Sequence, residues 1–450
     1  MKKLTLFSLL LVFVFTVSAD ETNAPAWLSR PLSQADCINI ALAQNADILK
    51  AQSDLKASQG VVIQTRAIAL PQVVASGKYQ DNESSLVQQF PSFGATNSIQ
   101  TPHQNWNTGI QIVQGIYEGG KLIAAIQAAS ATKKQAIAQY DTQVADTLLA
   151  VRLAYYDVLL AAQQITVNEA SVKLLQKELD DQQRRFDAGT VPHFNVLRAE
   201  VALANAKPNL FHANSQYRIS KNVLANLLGY NLPRDVLENI PLNLTDTFDI
   251  TPWDMALPDA IQQALERRTE LKDLREQVVL QKLNIVSAKS GYQPVIQAFA
   301  GYGWQNSEFS TDIGDEVNGW NVGGQLTWSI FDGALTYGKV KQSKALYKKS
   351  ETELEDRSRQ IELDVRTAYS DFLEAKEVLD SQTKVQEQAE EALREANARF
   401  DAGTGTQLDV LDAETSLTQA RTTQVQALHD YATARARLER SIGAELASAK

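Results

Sequence analysis

The chain has 450 residues, a formal net charge of −10 and a pI of about 5.1. That acidity argues against a nucleic-acid partner, which needs a basic face, and the length leaves room for two or three ordinary domains. Aromatic residues make up only 7%, and the abundance of Ala, Gln, Leu and acidic residues suits long helices better than one large globular core.

Residues 1–19 read as an export signal. Lys2 and Lys3 precede an apolar run from Leu4 to Val17, and Val17-Ser18-Ala19 offers small residues at a cleavage point before Asp20. The run is short for a membrane span of about 20 residues, which disfavours an uncleaved anchor. Cys37, the one cysteine, permits no intrachain disulfide. Gln34-Ala35-Asp36 before it is a poor lipoprotein signal, so Cys37 is expected to be a small buried residue of the first helix.

Residues 20–31, with Pro25 and Pro31, read as an extended lead-in. A helix is expected from an N-cap at Ser33 to about Ala69, stopped by Pro71. The spacing then changes to a period of two. In Trp106–Ile112, Trp106, Ile110 and Ile112 oppose Asn107, Gly109 and Gln111, and residues 72–80 alternate more weakly. A very long helix is expected from Lys121 to about Asp187, roughly 100 Å at 1.5 Å per residue. Its apolar seam, from Val151 through Ala154, Val158 and Ala161 to Phe186, steps by fours and threes as in a coiled coil. Gly189 stops it, and a return helix of about 194–228 follows, which Pro208 should kink or restart. Residues 230–256, with Pro233, Pro241 and Pro252, read as a surface connector.

The same plan is then written again. Arg185-Phe186-Asp187-Ala188-Gly189-Thr190 recurs letter for letter as Arg399-Phe400-Asp401-Ala402-Gly403-Thr404, 214 positions later. The second copy predicts a helix of about 258–290, strands within 294–331, a long helix from Leu335 to about Asp401 and a return helix of about 407–442. The repeats thus span 20–229 and 257–443, with a tail at 444–450. In the second copy Ile296, Ala298, Ala300, Tyr302 and Trp304 share one strand face, and Trp320, Val322, Leu326, Trp328 and Ile330 another. Strands of about 10 residues, apolar outside and polar inside with aromatic ends, are the pattern of an outer-membrane β-barrel. A soluble two-sided sheet would leave those faces with little to pack on. Trp106, Tyr302, Trp304, Trp320 and Trp328 are therefore expected at the membrane interfaces. The polar stretches 81–105 and 305–319 become outward loops, and Asp312, Asp315 and Glu316 lack calcium-loop spacing.

Four strands cannot close a barrel, and open sheet edges are not tolerated in lipid. Two chains would give eight strands with a filled interior, and three would give twelve around a pore. The expected fold is an α+β membrane protein: a trimeric 12-stranded β-barrel continuous with a long α-helical coiled-coil barrel. An enzyme lacks support, because no nucleophile elbow, phosphate loop or dinucleotide fingerprint occurs. His103, His193, His212 and His429 show no metal-ligand spacing, so no cofactor or metal is expected. A surface adhesin or structural coiled coil would explain the seams but not the lipid-facing strands.

The tandem repeat, the strand ends Gly115-Ile116-Tyr117-Glu118-Gly119-Gly120 and Ser329-Ile330-Phe331-Asp332-Gly333-Ala334, and the tip continuing into Asp409-Val410-Leu411-Asp412-Ala413 together resemble the TolC-like outer-membrane efflux family. The resemblance covers nearly the whole mature chain. It implies a homotrimer in outer-membrane lipid that docks a periplasmic adaptor and an inner-membrane pump, passing drugs or small molecules or, alternatively, secreted proteins. The hairpin-tip residues Arg185, Gly189, Thr190, Arg399, Gly403 and Thr404 would meet the adaptor. Asp409 and Asp412 match the family's acidic entrance ring; three apart, they share one helix face, and they equally suit a helix N-terminus through its dipole. The family's polar lock between inner and outer hairpins falls on Phe400, Gly405 and Asn195, which cannot form that charged link. Any closure must rest on other contacts.

Overall fold

The computed structural model describes residues 26–83, 89–90, 99–100, 103–231, 239–307 and 312–444. The signal segment, the first part of the lead-in and nearly all of the C-terminal tail lie outside them. In chain order the first repeat comprises α1 (Gln34–Gln44), α2 (Ala46–Ala67), β1 (Gln72–Asp81), the two-residue strands β2 (Gln89–Phe90) and β3 (Ile99–Gln100), β4 (Gln104–Glu118), α3 (Lys121–Asp187) and α4 (His193–Leu227). The second comprises α5 (Leu257–Arg267), α6 (Thr269–Lys289), β5 (Val295–Asn306), β6 (Glu316–Thr327), α7 (Leu335–Asp401) and α8 (Gln407–Ile442). Both long helices begin and end where their seams and stop glycines place them.

The first helix of each repeat is not continuous as expected. It breaks at Asn45 (φ −61°, ψ 130°) and at Arg268 (φ −56°, ψ 124°). Asn45 Oδ1 accepts from Asp47 N at 2.8 Å and Ile48 N at 3.2 Å, capping α2, while its Nδ2 donates to the Leu227 carbonyl at 2.8 Å. Helix α4, by contrast, runs through Pro208 without restarting. The described end of the lead-in is a single 3₁₀ turn, Ala26–Ser29, held by the buried Leu28 and Leu32.

The sheet has the order β1-β4-β5-β6, every pair antiparallel. Its register aligns Ile110, Tyr302 and Trp320 across three strands, and Ile112, Ala300 and Val322 beside them. These rows belong to one apolar face, which nothing among the described residues covers. Trp320 is 77% exposed and Val322 68%. The opposite face carries Asn107, Gln111, Gln297, Gln305, Asn321 and Gln325, as the alternation predicts. Phe299 departs from that pattern. It lies on the polar face over Gly323, where a Cβ would come within 2.7 Å of its ring. A bulge between Gly115 and Tyr117 returns Tyr117 to the apolar face opposite Ile296. Strand β6 ends at Thr327, so Trp328 and Ile330 lie beyond it; the Trp328 indole donates to the Tyr292 carbonyl at 3.2 Å. In the first loop β2 pairs with β3, and the rest of 84–102 lies outside the described residues. The second loop is shorter than expected, because β5 runs to Asn306 and β6 starts at Glu316.

Strand turns into long helix through two successive left-handed residues in each repeat. These are Gly119 and Gly120 (φ 61° and 84°), and Gly333 and Ala334 (φ 65° and 67°). Ala334 is the one non-glycine with positive φ among the described residues, a conformation that costs an L-residue about 1–2 kcal/mol.

Each long helix changes partners midway. Toward the sheet the helices lie in the order α2-α3-α6-α7, and toward the tips in the order α4-α3-α8-α7. Between the two levels, Val151, Tyr155 and Tyr156 of α3 are buried with Leu32 and Cys37 and with Leu224 and Leu228. The described part of the connector, residues 239–256, joins this core instead of lying on the surface. Ile240, Leu242 and Phe248 are buried, and Leu32 forms a parallel bridge with Leu244. Its prolines forbid regular structure, but its apolar residues still seek cover. On the second side Ile361, Val365 and Phe372 meet Ala260, Ala264, Leu271 and Leu438. Among the described residues no helix is long and apolar enough to cross a membrane.

Candidate functional site

The two Arg-Phe-Asp-Ala-Gly-Thr segments form the same helix stop at the far ends of α3 and α7. Gly189 and Gly403 each have φ 73°, and Thr190 N and Thr404 N donate to the carbonyls of Arg185 and Arg399, each at 2.9 Å. The threonine hydroxyls donate to the same carbonyls at 2.8 and 3.2 Å. This six-residue closure is the Schellman stop, in which glycine supplies the left-handed residue. The identical sequence therefore encodes an identical turn.

The arginine side chains then diverge. Arg399 pairs with Glu395 on its own helix at 3.0 Å. Arg185 crosses to the other tip, with Nη2 3.5 Å from Asp401 Oδ1 and its guanidinium carbon 4.7 Å from the centre of the Phe400 ring. Phe400 thus serves a tip-to-tip contact, though not the family's charged link. Asn195 contributes its carbonyl, which accepts from Gln407 Nε2 at 3.2 Å.

Asp409 is the third residue of α8 and completes a capping box. Its Oδ2 accepts from Thr406 N and from Thr406 Oγ1, each at 2.8 Å. The Thr406 amide and hydroxyl hold its carboxyl below the usual range. The helix-terminus reading of Asp409 is thus realised, while Asp409 and Asp412 both remain exposed one turn apart.

A second polar group, not foreseen, lies just behind. Gln182 and Gln407 are buried and both donate to Glu178 Oε1, at 2.8 and 3.3 Å. Glu414 is buried beside them on α8, and burial together with the Glu178 charge raises its carboxyl to about 7. The repeat hid this group. Glu414 has a counterpart in Glu200, which is exposed, whereas the counterparts of Glu178 and Gln182 are Ala392 and Ala396. That mismatch was the available signal.

The aromatic residues divide between the two ends of the sheet. Trp106, Tyr302, Trp304 and Trp320 cluster at the loop end. The Tyr302 and Trp304 rings lie 4.8 Å apart, Tyr302 OH donates to Asn318 at 2.7 Å, and the Trp106 indole donates to the Ile313 carbonyl at 3.0 Å. Trp328 lies at the helix end. Eight residues separate Trp320 from Trp328, about 26 Å along a strand, or roughly 20 Å of depth at the usual barrel tilt.

Midway, Glu270 joins two buried arginines. Arg268 contacts both of its oxygens, at 2.8 and 3.0 Å, and Arg440 reaches Oε1 at 3.0 Å while also holding Asp146 at 2.6 Å. Burial pushes Glu270 up, but the Arg268 hydrogen bonds and the two positive charges outweigh it and bring the carboxyl to about 2.

Comparison with known proteins agrees with this geometry. The family model for outer membrane efflux protein matches residues 37–230 and 260–444. The outer membrane protein TolC of Vibrio cholerae is 25% identical over 419 residues, covering 91% of this chain and 90% of that one. The alkaline protease secretion protein AprF of Pseudomonas aeruginosa is 24% identical over 301 residues, covering 67% and 62%. The CmeC outer membrane channel of Campylobacter jejuni superposes with a TM-score of 0.76 at 16% identity, covering 91% of this chain and 85% of that one. With a lipid-ready strand face, a duplicated helical hairpin and a family match spanning both repeats, the chain belongs to the outer membrane efflux protein family.

Proposed function

We propose that this chain is one third of the outer-membrane exit duct of a tripartite efflux system, passing drugs and other small molecules from the periplasm to the exterior. The observation that carries this is the uncompleted sheet. Strands β1 and β6 are its outer members, and alternating strand directions leave β6 antiparallel to the β1 of a neighbouring copy. Three copies joined in this way make twelve strands without an edge, with the glutamines and asparagines lining water. The helices continue the wall toward the periplasm. There the tips, with Arg185, Gly189, Thr190, Arg399, Gly403 and Thr404, meet a periplasmic adaptor joined to an inner-membrane pump. In such a trimer Asp409 and Asp412 form two stacked carboxylate rings that favour cations, and the Arg185 contact with Phe400 and Asp401 holds the two hairpins together.

Similarity to a protease secretion protein keeps protein export as the second reading. Deleting the gene separates the two. Efflux requires increased drug susceptibility with export of secreted proteins intact; unchanged susceptibility with lost export rejects efflux in favour of secretion. The entrance is checked in planar bilayers. The double substitution Asp409→Ala, Asp412→Ala should reduce cation-over-anion selectivity several-fold, and unchanged selectivity and unchanged block by multivalent cations would remove both residues from the entrance.

A further inference from the structure

We propose that the hairpin tips are clasped by one proton held on buried Glu414 beside Glu178, so that the contact between α3 and α8 loosens when that proton leaves. The inference deepens the reading of the tips as an entrance and rests on it for its physiological meaning.

Three buried side-chain atoms here have no hydrogen-bond partner: Gln182 Oε1, Gln407 Oε1 and Glu414 Oε2. Both amide NH2 groups donate to Glu178 Oε1. The two amide oxygens can only accept. An ionised Glu414 would add another unpaired acceptor, beside the Glu178 charge, to a group that already holds two unpaired amide oxygens. A proton on Glu414 Oε2 turns that unpartnered atom into a donor and removes the repulsion, as in other carboxyl pairs that cannot both ionise. From α4 comes the Asn195 carbonyl. From α7 come the apolar Ala389, Leu393, Ala396 and Phe400. Further along α8, Thr418 bonds Ser171 of α3, and Arg421 is engaged with Glu390 of α7. Among the described residues neither Glu178 nor Glu414 has an ion-pair partner.

The sign follows from the raised carboxyl. Glu414 binds its proton more tightly when the tip is packed, about 7 against an ordinary 4.5. The contact is therefore strongest below pH 4.5 and weakens as pH rises through 7. Between pH 5.5 and 8.5 these values imply that local opening increases about 30-fold.

Hydrogen exchange followed by mass spectrometry on the purified full chain tests this. Protection factors corrected for intrinsic exchange are compared at pH 5.5 and 8.5. Peptides covering 174–186 and 407–418 should lose protection by about 30-fold at the higher pH, while peptides from strand β5, which carries no His, Asp or Glu, stay constant. Glu414→Gln imitates the protonated form and should leave tip protection high and independent of pH. Glu178→Gln, which removes the repelling charge, should shrink the dependence. Flat tip protection in the wild-type chain, or a wild-type pH dependence retained in Glu414→Gln, overturns the proposal. Bilayer conductance is read separately. A pH-dependent tip with pH-independent conductance supports the proton clasp and rejects the entrance reading.

Discussion

Val322→Arg is expected to abolish accumulation of the assembled protein in the outer membrane, whereas Asn321→Arg, one residue away, is expected to be tolerated. Val322 lies on the apolar face next to Ala300, between the levels of Trp320 and Trp328, and is 68% exposed in the single chain. Arginine on the lipid-facing side costs about 2–4 kcal/mol at mid-depth and less toward the interfaces, so one step inward from Trp320 it costs about 1–2 kcal/mol per strand. A threefold assembly carries that cost three times, on the order of 5 kcal/mol, a large share of the stability of many folded proteins. Asn321 points to the opposite face, where its Oδ1 lies over Gly301 and water is the expected neighbour. The yield of heat-resistant oligomer from outer-membrane fractions reads the difference. Equal yields for the two variants would mean that lipid does not cover the Val322 face.

Glu270→Ala should cause the largest loss of stability in the helical part. It removes the one carboxylate shared by Arg268 and Arg440, whose side chains are 7% and 9% exposed. Breaking such a buried pair typically costs about 3–5 kcal/mol, because the remaining charge is left uncompensated. Asp146 still holds Arg440, which places the loss toward the lower end. The same site sets an acid limit. The carboxyl lies at about 2 when folded against an ordinary 4.5. Its contribution is therefore complete above pH 4.5 and is lost as pH falls toward 2, amounting to about 3 kcal/mol. Thermal unfolding across that range should show a shallower pH dependence for Glu270→Gln than for the wild-type chain. Superimposable profiles would exclude Glu270 as the source.

Much of the architecture is legible in the sequence because it depends on periods and punctuation. Helices α3 and α7 contain no proline, carry seams at fours and threes, and end at Gly189 and Gly403, so their limits follow directly. The strand faces follow from alternation in the main, but Val74, Val113, Phe299 and Val317 fall on the polar face, and for Phe299 only the register reveals that Gly323 opposite leaves room for its ring. The breaks at Asn45 and Arg268 escaped. Helix-compatible residues continue on both sides, and the break is stabilised from afar, by the Leu227 carbonyl for Asn45 and by the Ser441 carbonyl for Arg268. Burial of the connector was illegible for a similar reason, since its cover comes from α1, α3 and α4. At the tips the acidic pair was visible, but not that Asp409 spends its carboxylate on Thr406, nor that Arg185 leaves its own turn for Phe400. Duplication makes the two copies look equivalent, whereas α8 lies between two long helices and α4 does not.

Helices α3 and α7 pass through the equator unbroken, while the shorter helices beside them are interrupted at Asn45 and Arg268. Each long helix is then a lever with its fulcrum near mid-length and no joint along either arm. With arms of about 50 Å, a tilt of about 5° displaces each tip by roughly 4 Å and swings the strand junction by a similar distance the opposite way. Mechanical compliance must reside at the fulcrum and in the jointed neighbours. A cross-link fastening α1 to α3 should therefore stiffen both ends of the molecule at once.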